Sequence, residues 1–217
     1  MAFFDLPLSK LKTFKLPDNE PKDFDAFWKK TLAQARSYDL AAKYQPVREP
    51  AYKLVDVYDV TFNGYDGQPI KGWFLEPAGN REALPCLVHF IGYGGGRSLP
   101  VEHMSVPCAG FACFVMDTRG QGSSWSPGNT PDPVGSGPAF PGVMTRGIES
   151  PETYYYRRVF TDAARAVEAA GLHPHVDAKR IAVTGGSQGG GIAIAAAALS
   201  GAEVKLAMPD VPYLCGY

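Results

Sequence analysis

Ser187, set among glycines, carries the clearest chemical signal in the chain. From Arg180 to Ser200 the residues read as a short β-branched strand, a glycine-crowded turn holding Ser187, and an alanine-rich helix. In the spacing Gly185-x-Ser187-x-Gly189 the serine rides a sharp strand-to-helix turn, where neighbours without side chains let strand and helix pass each other. A hydroxyl held there is presented for attack on a carbonyl, the opening step of acyl transfer. A neutral hydroxyl is a weak nucleophile, so this chemistry also needs a histidine base and donors for the developing oxyanion. A turn of this type takes its acid and then its histidine from later in the chain, yet no histidine follows Ser187 and Asp210 is the only aspartate there.

The oxyanion donors can be placed. One is the backbone N–H of Gln188, at the positive end of the helix. The other belongs to the loop after the strand ending at Ile91, Gly92-Tyr-Gly-Gly-Gly-Arg97, where Tyr93 is placed to donate its N–H and to wall the pocket with its ring. Walls formed by Tyr93 and Trp125 suit a short acyl group. Either glycine cluster alone is compatible with a turn that binds nothing, but two in this order, each directly after a buried strand, point to a hydrolase fold. A dinucleotide-binding reading rests on Gly92-x-Gly94 and on Asp117 ending the next strand, and it fails because position 97 is Arg where the third glycine belongs. A phosphate loop fails as well, since Gly185 to Gly191 has no Lys-Ser or Lys-Thr pair.

None of the four histidines fits the base role. His89 lies mid-strand and reads as a core residue; His173 and His175 flank Pro174 in the connection before the elbow strand, at the sheet edge away from Ser187. His103 follows the Gly92 loop and lies near the pocket, but such folds do not supply the base from that position. Arg119-Gly-Gln-Gly122, after the strand ending at Asp117, shares the carboxyl edge of the sheet with Ser187 and reads as a loop brace, with Asp117 and Asp210 as candidate partners for Arg119.

The elements that must position these residues follow from periodicity. Pro21 to Tyr38 carries Phe24, Phe27, Trp28, Leu32 and Ala35 at helical spacing. Tyr52 to Phe62 and Ile70 to Leu75 alternate around Gly64-Tyr-Asp-Gly67, predicting an antiparallel hairpin. Cys86–Ile91, Phe111–Met116, Arg180–Thr184 and Val204–Met208 are apolar runs of the kind covered on both faces. Thr153 to Gly171 predicts a long helix between the second and third of them. The alternation implies an α/β fold with a mostly parallel, doubly wound sheet. The segment from Asp117 to Glu152 is rich in Gly and Pro without periodicity, and it reads equally as an active-site wall or as a surface excursion.

At 217 residues, 45% hydrophobic and 20% charged, the chain reads as one domain over 1–217. A net charge of −1 argues against a nucleic-acid partner. The N-terminus has neither a basic lead nor a signal-length apolar run, and no stretch of about 18 apolar residues occurs, so a soluble cytoplasmic protein without a membrane partner is expected. Cys86, Cys108, Cys113 and Cys215 form no Cys-x-x-Cys pair, and neither a disulfide nor a metal is expected.

Several longer motifs carry a resemblance. Met116-Asp-Thr-Arg-Gly-Gln-Gly122, Thr153-Tyr-Tyr-Tyr-Arg-Arg-Val-Phe-Thr-Asp162, Gly185-Gly-Ser-Gln-Gly-Gly190 and the opening Met-Ala-Phe-Phe-Asp-Leu-Pro-Leu resemble the acetyl xylan esterase and cephalosporin-C deacetylase family, carbohydrate esterase family seven, within the α/β-hydrolase fold. The resemblance implies that Ser187 is the nucleophile, that Tyr93 and Gln188 supply the oxyanion-hole amides, and that Arg119, Gly120 and Gln121 brace the site. It implies deacetylation of short xylo-oligosaccharides and cephalosporin C without a cofactor, by homohexamers whose sites face an interior cavity. It further implies that about a hundred more residues, carrying the triad Asp and a His-Glu motif with the remaining strands and helices, lie outside this sequence. The contrasting expectation is a catalytically silent fragment or binding protein that keeps the pocket and lacks the base.

Overall fold

The computed structural model describes residues 6–17, 20–49, 51–134 and 141–213. A short helix α1 (Leu8–Leu11) and the amphipathic α2 (Phe24–Arg36) precede three strands, β1 (Lys43–Pro46), β2 (Val55–Asn63) and β3 (Pro69–Pro77). Then follow β4 (Leu84–Phe90), α3 (Ser105–Cys108), β5 (Ala112–Met116), α4 (Tyr155–Gly171), β6 (Val176–Gly186), α5 (Gln188–Leu199) and β7 (Val204–Asp210). The seven strands form one sheet in the order β1-β2-β3-β5-β4-β6-β7. β2 and β3 make the expected hairpin, β3 joins β5 antiparallel, and β5, β4, β6 and β7 run parallel. Strand β1, whose four residues carry no apolar alternation, is an addition the sequence did not announce. The long helix begins two residues later than its periodicity suggests, because Tyr154 holds an extended backbone (φ −60°, ψ 132°) before it.

Each side of the sheet buries a separate apolar layer. Phe62, Phe74, Val88, Phe90, Phe114 and Met116 meet Val159, Ala163 and Ile192 of α4 and α5; on the opposite side Val57, Leu75, Cys113 and Val115 meet Met104 and Val106 at α3. Alternate residues of β5 therefore serve different layers, which is why that strand is a continuous apolar run. Cys86, Cys108 and Cys113 are free thiols, and Cys215 lies outside the described residues. No helix among the described residues is long and apolar enough to cross a membrane.

Charge is buried too. The Arg119 side chain is fully covered, and its Nε and Nη2 donate to the two oxygens of Asp162 at 2.5 and 2.8 Å, while Nη1 reaches Asp132 at 3.3 Å and also donates to Gln68 Oε1. Asp132 in turn accepts Arg158 Nε and Nη2 at 3.1 and 2.8 Å. Burial works against the Arg119 charge, but Asp162 and then Asp132 more than offset it, holding the guanidinium above its ordinary value. The expected partners Asp117 and Asp210 are not the ones used. Asp117 is spent on loop donors, the Arg97 N–H (2.8 Å), the Asn129 N–H (2.6 Å) and the Thr130 hydroxyl (2.9 Å), and Asp210 ends the far edge strand. The network thus ties the loop after β5 to the face of α4 and to the hairpin turn.

His89 is only partly buried, on the α3 side of β4, with its ring centroid 5.7 Å from that of His103. Desolvation, helped by His103, pushes the His89 imidazole down to about 4, and burial lowers His103 as well.

Two consequences can be measured. An unfolded imidazole binds its proton near pH 6.5, so the neutral folded His89 contributes stability that is complete above that value and is lost as the pH falls toward 4; the loss amounts to about 3 kcal/mol. Urea unfolding across this window should show the decline, and His89→Gln should make it shallower, with the other buried imidazoles supplying the rest; an unchanged slope would contradict the assignment. Asp162→Ala strands a fully buried guanidinium and is expected to cost about 3–5 kcal/mol, with Asp162→Asn costing less because its amide keeps hydrogen-bonding capacity. A loss below about 1 kcal/mol for the alanine variant would show that Asp132 and Gln68 suffice.

Candidate active site

Because β6 ends at Gly186 and α5 begins at Gln188, Ser187 alone makes the turn. Its backbone sits at φ 53°, ψ −117°, a left-handed conformation that costs a residue with a Cβ about 1–3 kcal/mol. Hydrogen bonds on both sides hold it there. The Ser187 N–H donates to the Asp210 carbonyl of β7 at 2.9 Å, and its own carbonyl accepts the N–H groups of Gly190, Gly191 and Tyr213 at 3.0, 3.2 and 3.0 Å. The residue is exposed at the tip. Gly189 shows why the turn admits no side chain, since a Cβ there would lie 2.2 Å from the Phe90 carbonyl oxygen.

Register brings the second loop alongside. Phe90 lies opposite Gly185, so the chain leaving β4 passes directly beside the elbow, at the point where the sheet order reverses between β5 and β6. There the Gly95 N–H donates to the Gly92 carbonyl at 3.1 Å, Trp125 Nε1 donates to the Tyr93 carbonyl at 2.9 Å, and the Gly94 N–H donates to Gln121 Oε1 at 2.6 Å. Carbonyl and N–H point opposite ways across a trans peptide, so fixing the Gly92 carbonyl also fixes the direction of the Tyr93 N–H. The Tyr93 hydroxyl donates to the Pro141 carbonyl.

Between the two loops lies a buried amide pair. Gln121 Nε2 donates to Gln188 Oε1 at 2.9 Å, and Gln188 Nε2 reaches back to Gln121 Oε1 at 3.3 Å and to the Ile91 carbonyl at 3.2 Å. Tyr156 donates to Gln188 Oε1 at 2.8 Å, and Tyr155, whose hydroxyl accepts Gln121 Nε2 at 2.9 Å, donates to the Arg119 carbonyl at 2.5 Å. Burial pushes both phenols up, so they remain donors at neutral pH. Gln188 therefore has two jobs: its backbone opens α5, and its side chain locks the elbow to the neighbouring loops.

In its described part the long segment after Asp117 packs against the glycine loop and lines the cavity beside the candidate site. The Gly96 and Ser98 N–H groups donate to the Ser126 and Pro127 carbonyls at 2.9 and 2.8 Å, and the Gly120 N–H donates to the Thr130 carbonyl at 2.8 Å. Trp125 and Ser126 join His89, Glu102, His103 and Gly186 around a cavity of about 320 Å³ beside the elbow. His89 thus lines a cavity instead of filling the core. His103 does come near the site, but its Nε2 is engaged with the Arg97 carbonyl at 2.8 Å.

Sequence reasoning placed Ser187, Tyr93, Gln188 and the Arg119–Gln121 segment on adjoining loops. It did not find the side-chain role of Gln188, the two phenols or the acids Asp132 and Asp162. The run Tyr154-Tyr155-Tyr156 at a helix start held a usable signal, because hydroxyls on a helix that must be buried need partners. The described residues also gather one set of metal-ligand type, Glu76, His173 and His175, at the far end of β6. Nothing in the spacing announced it, since Glu76 lies far from the two histidines in sequence.

Comparison with known proteins agrees with this architecture. The family model for acetyl xylan esterase (AXE1) matches residues 1–217. The acetyl xylan esterase from Paenibacillus sp. R4 superposes with a TM-score of 0.88 at 41% identity, covering 97% of this chain and 66% of that one. Acetyl xylan esterase 1 from Thermoanaerobacterium sp. JW/SL YS485 gives 0.86 at 30% identity, covering 97% and 65%. Acetyl esterase Axe7A of Xylanibacter ruminicola is 26% identical over 184 residues, which are 82% of this chain and 41% of that protein. The chain therefore spans just under two thirds of these solved relatives and less of the curated one. Strained serine elbow, glycine loop and sheet order together are those of an α/β-hydrolase, and the chain belongs to the acetyl xylan esterase family.

Proposed function

We propose that this chain carries the nucleophile and oxyanion hole of a serine esterase that removes acetyl groups from short acetylated xylo-oligosaccharides and from related small acetyl esters such as cephalosporin C. The observation that carries the reading is Ser187, an exposed non-glycine residue held at φ 53° between a parallel strand and a helix N-terminus. Ser187 Oγ attacks the acetyl carbonyl carbon while a histidine that this sequence does not contain takes its proton. The tetrahedral oxyanion accepts the backbone N–H groups of Tyr93 and Gln188, and its collapse expels the sugar or cephalosporin alcohol, protonated by the same histidine. Water then repeats the attack on the acyl-enzyme and releases acetate. The reaction needs no cofactor. By the same family likeness the whole protein is a cytoplasmic homohexamer.

Intact-mass spectrometry before and after treatment with a fluorophosphonate probe reads serine reactivity directly. Labelling at Ser187 in the full-length protein, lost in Ser187→Ala together with all but a small residue of acetyl-ester turnover, supports the esterase. A full-length protein that binds acetylated xylo-oligosaccharide without labelling or turnover would identify a silent binding protein instead. Gln121→Leu is expected to lower acetyl-ester kcat by about a hundredfold, because it frees the peptide that orients the oxyanion loop, and to destabilise the fold by about 1–3 kcal/mol. Unchanged kcat would remove the amide pair from the positioning of the site.

A further inference from the structure

We propose that Glu76, His173 and His175 form a binding site for a divalent metal ion of the zinc class, at the end of the sheet opposite Ser187. Glu76 lies near the end of β3, and its side chain is 1% exposed. His175 Nδ1 lies 3.0 and 2.9 Å from its two oxygens. One ligand atom from each of the three residues falls within 4.8 Å of the others. A tetrahedral ion with bonds of about 2.0–2.1 Å sets its ligand atoms roughly 3.3 Å apart, so modest side-chain movement brings all three into reach.

The surroundings are those of a ligand set. Tyr58 and Asn80 Nδ2 each donate to one Glu76 oxygen at 3.3 Å, fixing the carboxylate plane as outer partners of a metal ligand do. The His173 ring is held against Phe74, Tyr44 and Tyr58 at centroid distances of 4.0, 4.7 and 5.6 Å. Among the described residues its Nδ1 accepts only a long contact from the His175 N–H, at 3.3 Å. The His175 side chain is 31% exposed, which leaves an entry path and room for water in the fourth position.

Two imidazoles and one carboxylate favour zinc, cobalt or nickel over calcium and magnesium, which take oxygen ligands. The ion would pin the end of β3 to the connection between α4 and β6. It would take no part in attack by Ser187, because the eleven residues of β6 stand between them, a length of about 35 Å. The site is independent of the esterase reading.

The test is titration of chelator-treated, tag-free full-length protein with Co²⁺ and Zn²⁺ at pH 7. One equivalent of Co²⁺ should give the visible bands of a low-coordinate site, Zn²⁺ should displace it, and the melting temperature should rise with free Zn²⁺. His175→Ala and Glu76→Gln should each weaken Zn²⁺ at least about a hundredfold, whereas Cys108→Ser, which removes an exposed thiol, should leave it unchanged. Absence of saturable binding, or equal affinity in His175→Ala, would reduce the cluster to a Glu76–His175 ion pair. Where a substitution unfolds the chain, ring resonances of the unaltered protein decide: Co²⁺ must shift or broaden His173 and His175, and a response confined to His89 and His103 overturns the proposal.

Discussion

The close passage of α5 over the end of β4 is the constraint on which the site depends. A Cβ on Gly189 would lie 2.2 Å from the Phe90 carbonyl oxygen, and one on Gly185 would lie 2.5 Å from the backbone of Gly189. Only a bare backbone lets the first turn of the helix lie so close to the neighbouring strand. That approach aligns the exit of β4 with the exit of β6, so the glycine loop at Tyr93 and the serine at the elbow become neighbours. Strain at Ser187 is tolerated because it arises where register, a Gly189 contact and four backbone hydrogen bonds all specify one conformation.

The polar interior extends that constraint outward. Gln121 and Gln188 join two loops that come from different strands, and the phenols of Tyr155 and Tyr156 carry the connection into α4. Arg119 then ties the same loop to Asp162 on the next turns of α4, so the oxyanion loop, the elbow and the long helix form one braced unit. A buried ion network of this kind gives little net stability, since desolvation offsets most of the Coulomb attraction. Its contribution is positional: replacing it with apolar residues would keep the packing and release the loops.

Much of this was legible before any coordinates, for identifiable reasons. Glycine spacing around Ser187 and after Ile91 reports backbone geometry directly, and the apolar run of β5 reports burial on both faces; β4 and β6 bury only alternate residues, and β7, expected to be covered on both faces, is mostly exposed. The hairpin followed from alternation around Gly64-Tyr-Asp-Gly67. Partner choice among charges was not legible, and Arg119 took Asp162 and Asp132 in place of the strand-end acids. Such pairs join residues separated by 43 and 13 positions, with no periodicity to mark them. The same holds for Glu76 and the two histidines, and for β1, a polar edge strand recruited by the hairpin beside it.

Strand β7 places the nucleophile under the control of the least covered part of the sheet. The Ser187 N–H depends on the Asp210 carbonyl, yet among the described strands β7 pairs with β6 alone, and its Leu206 and Met208 are 51% and 40% exposed. An edge strand with apolar side chains and unpaired backbone groups is the element that opens first and recruits further chain most readily. Any segment that covers β7 therefore does more than bury apolar surface: by holding Asp210 it also fixes the amide that keeps Ser187 in its strained conformation. The strained conformation of Ser187 therefore rests, through one backbone hydrogen bond, on the position of Asp210 in β7 as well as on the residues beside the serine.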